Sequence, residues 1–232
     1  MKTTTDGDPR TGASGTRPGR LTIDIWADVV CPWCYLGEQR LSTAIDQSPH
    51  RDDVDLRIHT FQLDPAASTT VAPTLDVLST KYGVPAAQAR AMEQGIAEQA
   101  AAEGLTYVVD RPARNTRDLL RLVKLGDEHG VGWPYFRAMQ AEVFSGNFEA
   151  FEHDTVVRLG EQLGIPAGEI RDVLATDRYA DEVRADQEAA VAMGARGVPF
   201  VVLGERLGIP GAVSADQYTE AIDKAWERQV NG

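Results

Sequence analysis

"DVVCPWCYLG", residues 28–37, decides how the rest of the chain reads, because it holds both of the protein's cysteines, Cys31 and Cys34. Upstream, "RLTIDIWADVV" (20–30) is β-branched and almost continuously apolar, the pattern of a strand buried on both faces. Downstream, "YLGEQRLSTAIDQ" (35–47) sets Leu41, Ala44 and Ile45 at helical spacing. The cysteines therefore fall where a strand hands over to a helix. Cys31 is expected at or just before the helix N-terminus, where unpaired N–H groups and the positive dipole end favour thiolate over thiol. Cys34 is expected one turn on, buried and less reactive. Pro32 suits the first helical turn. Trp33 offers either a contact surface for substrate or a lid over the sulfurs.

A C-x-x-C pair has three readings. As a zinc site it supplies two thiolates where zinc usually takes four ligands. The four histidines, His50, His59, His129 and His153, share no ligand spacing, and none lies near position 31 in sequence. They read as solvated or capping side chains, and no metal is expected; zinc shared across a dimer seam is the surviving form of that reading. As a structural disulfide the pair would close a tiny loop and constrain the unfolded chain little. The third reading is redox catalysis, in which thiolate attacks a disulfide. It is favoured here, and it needs no cofactor beyond a reversible Cys31–Cys34 disulfide.

Composition narrows the partners. The chain has 232 residues and a net charge of −12, which argues against nucleic acid and against anionic lipid. No apolar run approaches the roughly 20 residues that span a membrane. Residues 1–20, "MKTTTDGDPRTGASGTRPGR", lack the apolar stretch of a secretory signal and read as a disordered tail, with the cytoplasm as the expected compartment. A homodimer is one option that the sequence leaves open.

"VDLRIHTFQL" (54–63) alternates as a second strand, with a bulge or end near His59–Thr60. Residues 73–194 contain no convincing strand. Thr74 is expected to cap a helix carrying Leu75, Leu78 and Tyr82. A second helix runs from about Ala86 to Glu103 with Met92 and Ile96 inward, ended by Gly104. Asn115 is expected to cap the next, with Leu119, Leu120 and Val123 on its apolar face, and Pro134 to start another. Two or three more fill 154–193. "VPFVVLG" (198–204) is then a short strand with "ERLGIPG" as its hairpin partner. The last helix opens on an S-x-x-Q capping box, Ser214 and Gln217, with Tyr218, Ile222 and Trp226 inward. The order is βαβ, a helical block, then ββα. That is an α/β, thioredoxin-like fold with a large all-helical insertion: 21–72 and 195–232 form the thioredoxin-like domain, and 73–194 the insertion.

"GVPF" (197–200) belongs with the cysteine pair. In thioredoxin-type domains a cis proline at the start of a late strand packs beside the C-x-x-C, and the backbone before it pairs with an extended substrate. Val198 and Pro199 occupy those positions. The bland alternative is a proline that simply begins a strand.

With "DVVCPWCYLG", "FQLDP" (61–65), "NTRD" (115–118), "YADEVRADQ" (179–187) and "RGVPF" (196–200), the chain resembles the DsbA family over about 21–228, and within it the FrnE-like proteins related to polyketide-biosynthesis oxidoreductases. The resemblance implies thiol–disulfide oxidoreductase activity on a protein or small-molecule thiol or disulfide, with Cys31 as nucleophile, Cys34 as resolving thiol and Pro199 cis. Thioredoxin-type domains often carry a buried acid six residues before the first cysteine; Ile25 stands there. Asp24 and Asp28 are the neighbouring acids able to substitute, and Asp28 can equally cap the turn into the helix. More distantly, the chain is similar to 2-hydroxychromene-2-carboxylate isomerases and kappa-class glutathione transferases, which act with glutathione and typically carry serine where Cys31 stands. A glutathione-dependent isomerase is therefore the rival function, and a non-catalytic peptide-binding module a third. Retention of both thiols argues against each.

Overall fold

The central strand of the molecule is β1 (Leu21–Ala27), the apolar run that precedes the cysteines, and every one of its residues is buried. In the computed structural model, which describes residues 19–231, β1 pairs in parallel with β2 (Val54–Thr60), with Leu21 opposite Val54 and Ala27 opposite Thr60. Its other edge pairs antiparallel with β5 (Phe200–Leu203), which in turn pairs with β6 (Leu207–Pro210). The order β2-β1-β5-β6 gives a four-stranded mixed sheet. Continuous burial in β1 follows from this placement, since neighbours flank both edges and helices cover both faces. The expected tail, 1–20, falls almost wholly outside the described residues.

The chain crosses from β1 to β2 through α1 (Pro32–Gln47), whose Leu41, Ala44 and Ile45 are fully buried. The strand expected to reach residue 30 ends at Ala27, because 28–30 turn to deliver Cys31 to the helix start. The closing helix, α9 (Ala215–Asn231), packs beside α1. It opens as the sequence predicts: Gln217 N–H donates to Ser214 Oγ at 3.3 Å, and Ser214 N–H donates back to Gln217 Oε1 at 3.1 Å. Tyr218 and Ile222 are fully buried, while Trp226 is half-buried and stacks on His50.

Between β2 and β5 run α2 (Thr74–Tyr82), α3 (Ala86–Ala102), α4 (Arg117–Glu128), α5 (Gly132–Phe144), α6 (His153–Gln162), α7 (Ala167–Ala175) and α8 (Ala180–Ala192). An all-helical block needs one correction. Two-residue strands β3 (Ala72–Pro73) and β4 (Pro112–Ala113) pair with each other, apart from the central sheet. They are too short for sequence alternation to register. "LTYVVD" (105–110) forms no strand; its β-branched residues lie along a loop joined to α5 by Val108 N–H donating to Phe144 O.

Several local expectations shift by a residue or two. Thr74 is the first residue of α2 rather than its cap, and its hydroxyl donates to Arg111 O. Thr116 occupies the N-cap position of α4, while Asn115 Oδ1 accepts from Arg117 N–H. Helix α5 begins two residues before Pro134. Met92 and Tyr82 are exposed, not inward, because the outer faces of α2 and α3 have no neighbour there. Gly104 ends α3 in the left-handed region, with φ of 75°.

Candidate active site

Cys31 is the N-cap of α1, and its extended backbone lets the side chain turn back over the first turn. Cys34 N–H donates to Cys31 Sγ at 3.4 Å. The sulfur also lies 3.7 Å from the Val198 carbonyl oxygen, toward which the thiol donates. The Val198–Pro199 peptide is cis. Pro199 packs onto α1 at Gly37, where a Cβ would stand 2.9 Å from Pro199 Cγ and 3.3 Å from Ala212 Cβ. Only a glycine lets the proline loop approach so closely. The topology brings the two segments together because β5 is the direct neighbour of β1, so its start lies beside the end of β1.

The thiols differ in burial and electrostatics. Cys31 keeps 3% exposure and Cys34 none. Burial, the adjacent Cys31 sulfur and the charge of Glu38 hold the Cys34 thiol well above the ordinary thiol range. Trp33 projects outward at 43% exposure and so is an open surface rather than a lid. Pro32 opens the helix as its first residue.

Asp28 anchors the turn before the helix. Its backbone carbonyl accepts from Cys31 N–H, and its Oδ2 accepts from Leu63 N–H at 2.8 Å. Burial pushes its carboxyl up to about 6, offset in part by Leu63 N–H and by polar groups of Thr116, Val30 and Val29. Asp24, the other candidate for a buried acid, cannot serve the thiols. It lies on the opposite face of β1 from Ile25, and its Oδ1 is 2.7 Å from His59 Nε2.

The sequence stretches that carry the resemblance meet in space. Gln62 Nε2 donates to Asn115 Oδ1, and Asn115 Nδ2 donates to the carbonyls of Pro65 and Ala67. Gln62 N–H donates to Gln187 Oε1, while Thr60 N–H and its hydroxyl donate to Asp186. Residues 60–68 are thus held by α8 and by the start of α4, and Leu63 ties the same loop to Asp28. His59 is neither solvated nor capping, as the sequence suggested. It stacks on Trp26 at 4.4 Å between Asp24 and Asp186. Burial opposes its charge, but the two carboxylates more than offset this and raise it to about 9.

Sequence reasoning also passed over Glu38, a fully buried acid on α1 one turn beyond Cys34. The signal was present: Glu38 shares a helix face with Cys34, Leu41 and Ile45, so it interrupts an apolar stripe. Among the described residues no group of three or more His, Cys, Asp or Glu side chains could hold a metal ion, and no helix is long and apolar enough to cross a membrane.

A mixed sheet ordered β2-β1-β5-β6, with paired cysteines at the start of the first helix and a cis proline beside them, defines a thioredoxin-fold protein with a dithiol centre. The chain belongs to the family described as the DSBA-like thioredoxin domain, which matches residues 22–223. It is 40% identical to the "probable DsbA oxidoreductase SCO1869" of Streptomyces coelicolor, with a TM-score of 0.80 over 90% of this chain and 91% of that one. It is 25% identical to the uncharacterized protein YwbO of Bacillus subtilis (strain 168), over 86% of this chain and 94% of the relative. A 2-hydroxychromene-2-carboxylate isomerase shares the fold at 17% identity and a TM-score of 0.62, over 90% of this chain and 98% of that one.

Proposed function

We propose that the protein is a thiol–disulfide oxidoreductase in which Cys31 attacks and Cys34 resolves. The observation that carries this reading is the asymmetric placement of the sulfurs. Cys31 Sγ caps α1, accepts the Cys34 N–H and faces the segment at Val198, while Cys34 is sealed one turn inside the helix. Thiolate at Cys31 attacks a disulfide R–S–S–R′, the Cys31–S–R bond forms, and R′–S⁻ leaves. Cys34 then loses its proton and attacks the Cys31 sulfur. The Cys31–Cys34 disulfide forms and R–S⁻ departs. Run backwards, the same steps oxidise a dithiol.

The substrate is a thiol or disulfide, of a protein or a small molecule. The Val198 carbonyl supports an extended substrate backbone, and Pro199 shapes that groove against Gly37. Exposed Trp33 gives the substrate an apolar contact beside the sulfurs. Asp28 tunes the centre by fixing both the Cys31 turn and the Leu63 loop. The convergence of "FQLDP", "NTRD" and "YADEVRADQ" around one loop supports placement in the FrnE-like subgroup. The paired thiols favour redox turnover over glutathione-dependent isomerisation, for which a second thiol has no part.

Insulin reduction with dithiothreitol, run beside a 2-hydroxychromene-2-carboxylate isomerisation assay, tests the reading. Disulfide turnover that vanishes in Cys31→Ser is expected. Isomerisation without disulfide turnover would replace the oxidoreductase with the isomerase.

A further inference from the structure

We propose that Arg40 is a positioning residue for peptide substrates: held by Glu103 and Gln99 of α3, its guanidinium fixes the loop at Ala212 behind Pro199 and so sets how well Val198 pairs with a substrate main chain. The proposal rests on the oxidoreductase reading and deepens it, because it makes a peptide, rather than a small thiol, the substrate that Arg40 serves. Val198 and Pro199 lie beyond the ladder of the sheet. Its last pairs at this end are Trp26 with Phe200 and Phe200 with Pro210. The residues just before β5 and just after β6 must therefore be held by other means.

Gly211 N–H donates to Pro199 O at 2.8 Å, which ties the segment after β6 to the one before β5. Gly211 takes φ of 80°, and the hydroxyl of fully buried Tyr218 donates to its carbonyl at 3.4 Å. Pro199 and Ala212 both pack on α1 at Gly37. Packing sets how near the loop can come, but it does not fix the loop's direction along the helix, as a hydrogen bond does. Arg40 supplies that bond. It lies three residues after Gly37 on the same face of α1. Its Nη1 donates to Ala212 O at 3.0 Å, one residue beyond the Gly211 that holds Pro199.

The guanidinium is itself held. Its Nε donates to Glu103 Oε1 at 2.7 Å, Nη2 stands 2.6 Å from the same oxygen, and Nη2 also donates to Gln99 Oε1 at 3.2 Å. Glu103 is the C-cap of α3, and Gln99 lies one turn earlier. The planar fork thus spans three elements: α1 carries it, α3 orients it, and the loop between β6 and α9 receives it. A lysine, as a single point charge, would meet the carboxylate or the carbonyl without fixing both in one plane. At 15% side-chain exposure the group is largely shielded from water that would compete for these partners. The helical block therefore reaches the substrate-binding segment through one side chain. The partners of Arg40 lie in α3 and the loop rather than at the thiols, so attack by Cys31 on a disulfide without a main chain does not depend on it.

Two disulfides with the same leaving group separate the effects in stopped-flow absorbance of the reduced protein. One is 5,5′-dithiobis(2-nitrobenzoate), which has no main chain. The other is a hexapeptide whose single cysteine is a mixed disulfide with 5-thio-2-nitrobenzoate. In both, Cys31 thiolate attacks, a mixed disulfide with Cys31 forms, and thionitrobenzoate leaves. Arg40→Met is expected to lower the second-order rate constant for the peptide on the order of tenfold, through a higher half-saturation rather than a lower limiting rate, and to keep that for the small disulfide within about twofold. Glu103→Gln keeps its partner's shape without the charge and should shift the peptide rate the same way by less. Peptides N-methylated in turn at the residues on either side of the cysteine lose a donor to Val198. For the one that loses the pairing, the penalty of Arg40→Met should shrink toward that of the small disulfide. Equal losses for both disulfides, no loss for either, or a penalty that no N-methylation reduces overturns the assignment while leaving the two-thiol reading in place. Wild-type protein that releases thionitrobenzoate from neither overturns that reading instead. Should Arg40→Met not fold, Glu103→Gln decides by the same comparison.

Discussion

Two side chains one helical turn apart carry opposite demands. In the proposed reaction Cys31 must meet a substrate, and Cys34 must stay out of its way until the mixed disulfide exists. Placement at the N-cap and within the first turn meets both. Because the Cys34 thiol is buried and held well above the ordinary range, iodoacetamide should alkylate Cys31 first, as peptide mapping by mass spectrometry would reveal. Cys34→Ser should accumulate a mixed disulfide, since the chain has no third cysteine to resolve it. Gly37→Ala is a sharper probe of the site's geometry. Its added Cβ would fall 2.9 Å from Pro199 Cγ, so the proline loop must shift away from the sulfurs. The expected cost is about 1–3 kcal/mol in urea unfolding, the range for overpacking, together with slower insulin reduction. Wild-type turnover in that variant would show that the contact does not position the site. The cysteines, Pro199 and Asp28 could be picked out from the sequence because each sits in a short local pattern. The part played by Gly37 could not, since what it makes room for comes from a segment more than 160 residues further along the chain.

At the scale of elements, α1 and its neighbours were legible because periodicity and caps are local. The Ser214–Gln217 box marked the start of α9 to the residue. What stayed hidden is how α8 holds the sheet. Asp186 accepts from Thr60 N–H, the Thr60 hydroxyl and Lys124, and it faces His59 Nδ1 at 3.3 Å. A single aspartate thereby joins α8 to β2 and α4, directly before the loop that leads to Leu63. Nothing in the spacing of Asp24, His59, Lys124 and Asp186 along the sequence betrays this, because the fold alone brings four distant elements together. His59 consequently read as solvated when it is a clamped cation. Asp186→Asn keeps the shape but removes the charge that these partners face. Loss of about 2–3 kcal/mol is expected from the urea midpoint, in line with charge-assisted hydrogen bonds. If α8 also positions residues 60–68, insulin reduction should fall at temperatures where the variant remains folded. An unaltered midpoint would mean that the cluster costs as much to desolvate as it returns.

Over the whole molecule, the buried charges act in one direction across neutral and alkaline pH. His59 is raised to about 9 from 6.5, so its contribution is complete below 6.5 and is lost as pH rises through 9. Glu38, raised from 4.5 to about 8, keeps its proton when folded and gives it up readily when unfolded. Folding stability therefore declines as pH climbs from 4.5 to 8 and ionised Glu38 becomes the form that must be buried. Asp28 acts in the same sense between 3.8 and about 6. Only below this range does the sign reverse. Asp186, lowered to about 2 by His59 and Lys124 in spite of its burial, contributes stability above 3.8 that disappears as pH falls through 2. Many proteins are most stable between about pH 5 and 8. Here the urea midpoint should instead decline steadily from pH 6 to 9. His59→Gln should flatten the part of that decline between 6.5 and 9, and Glu38→Gln the part below 8. The two effects should add, because His59 lies against Trp26 beyond the sheet while Glu38 lies between α1 and α5. A wild-type profile that is level or rising between 6.5 and 9 would mean that neither group carries its proton into that range in the folded protein.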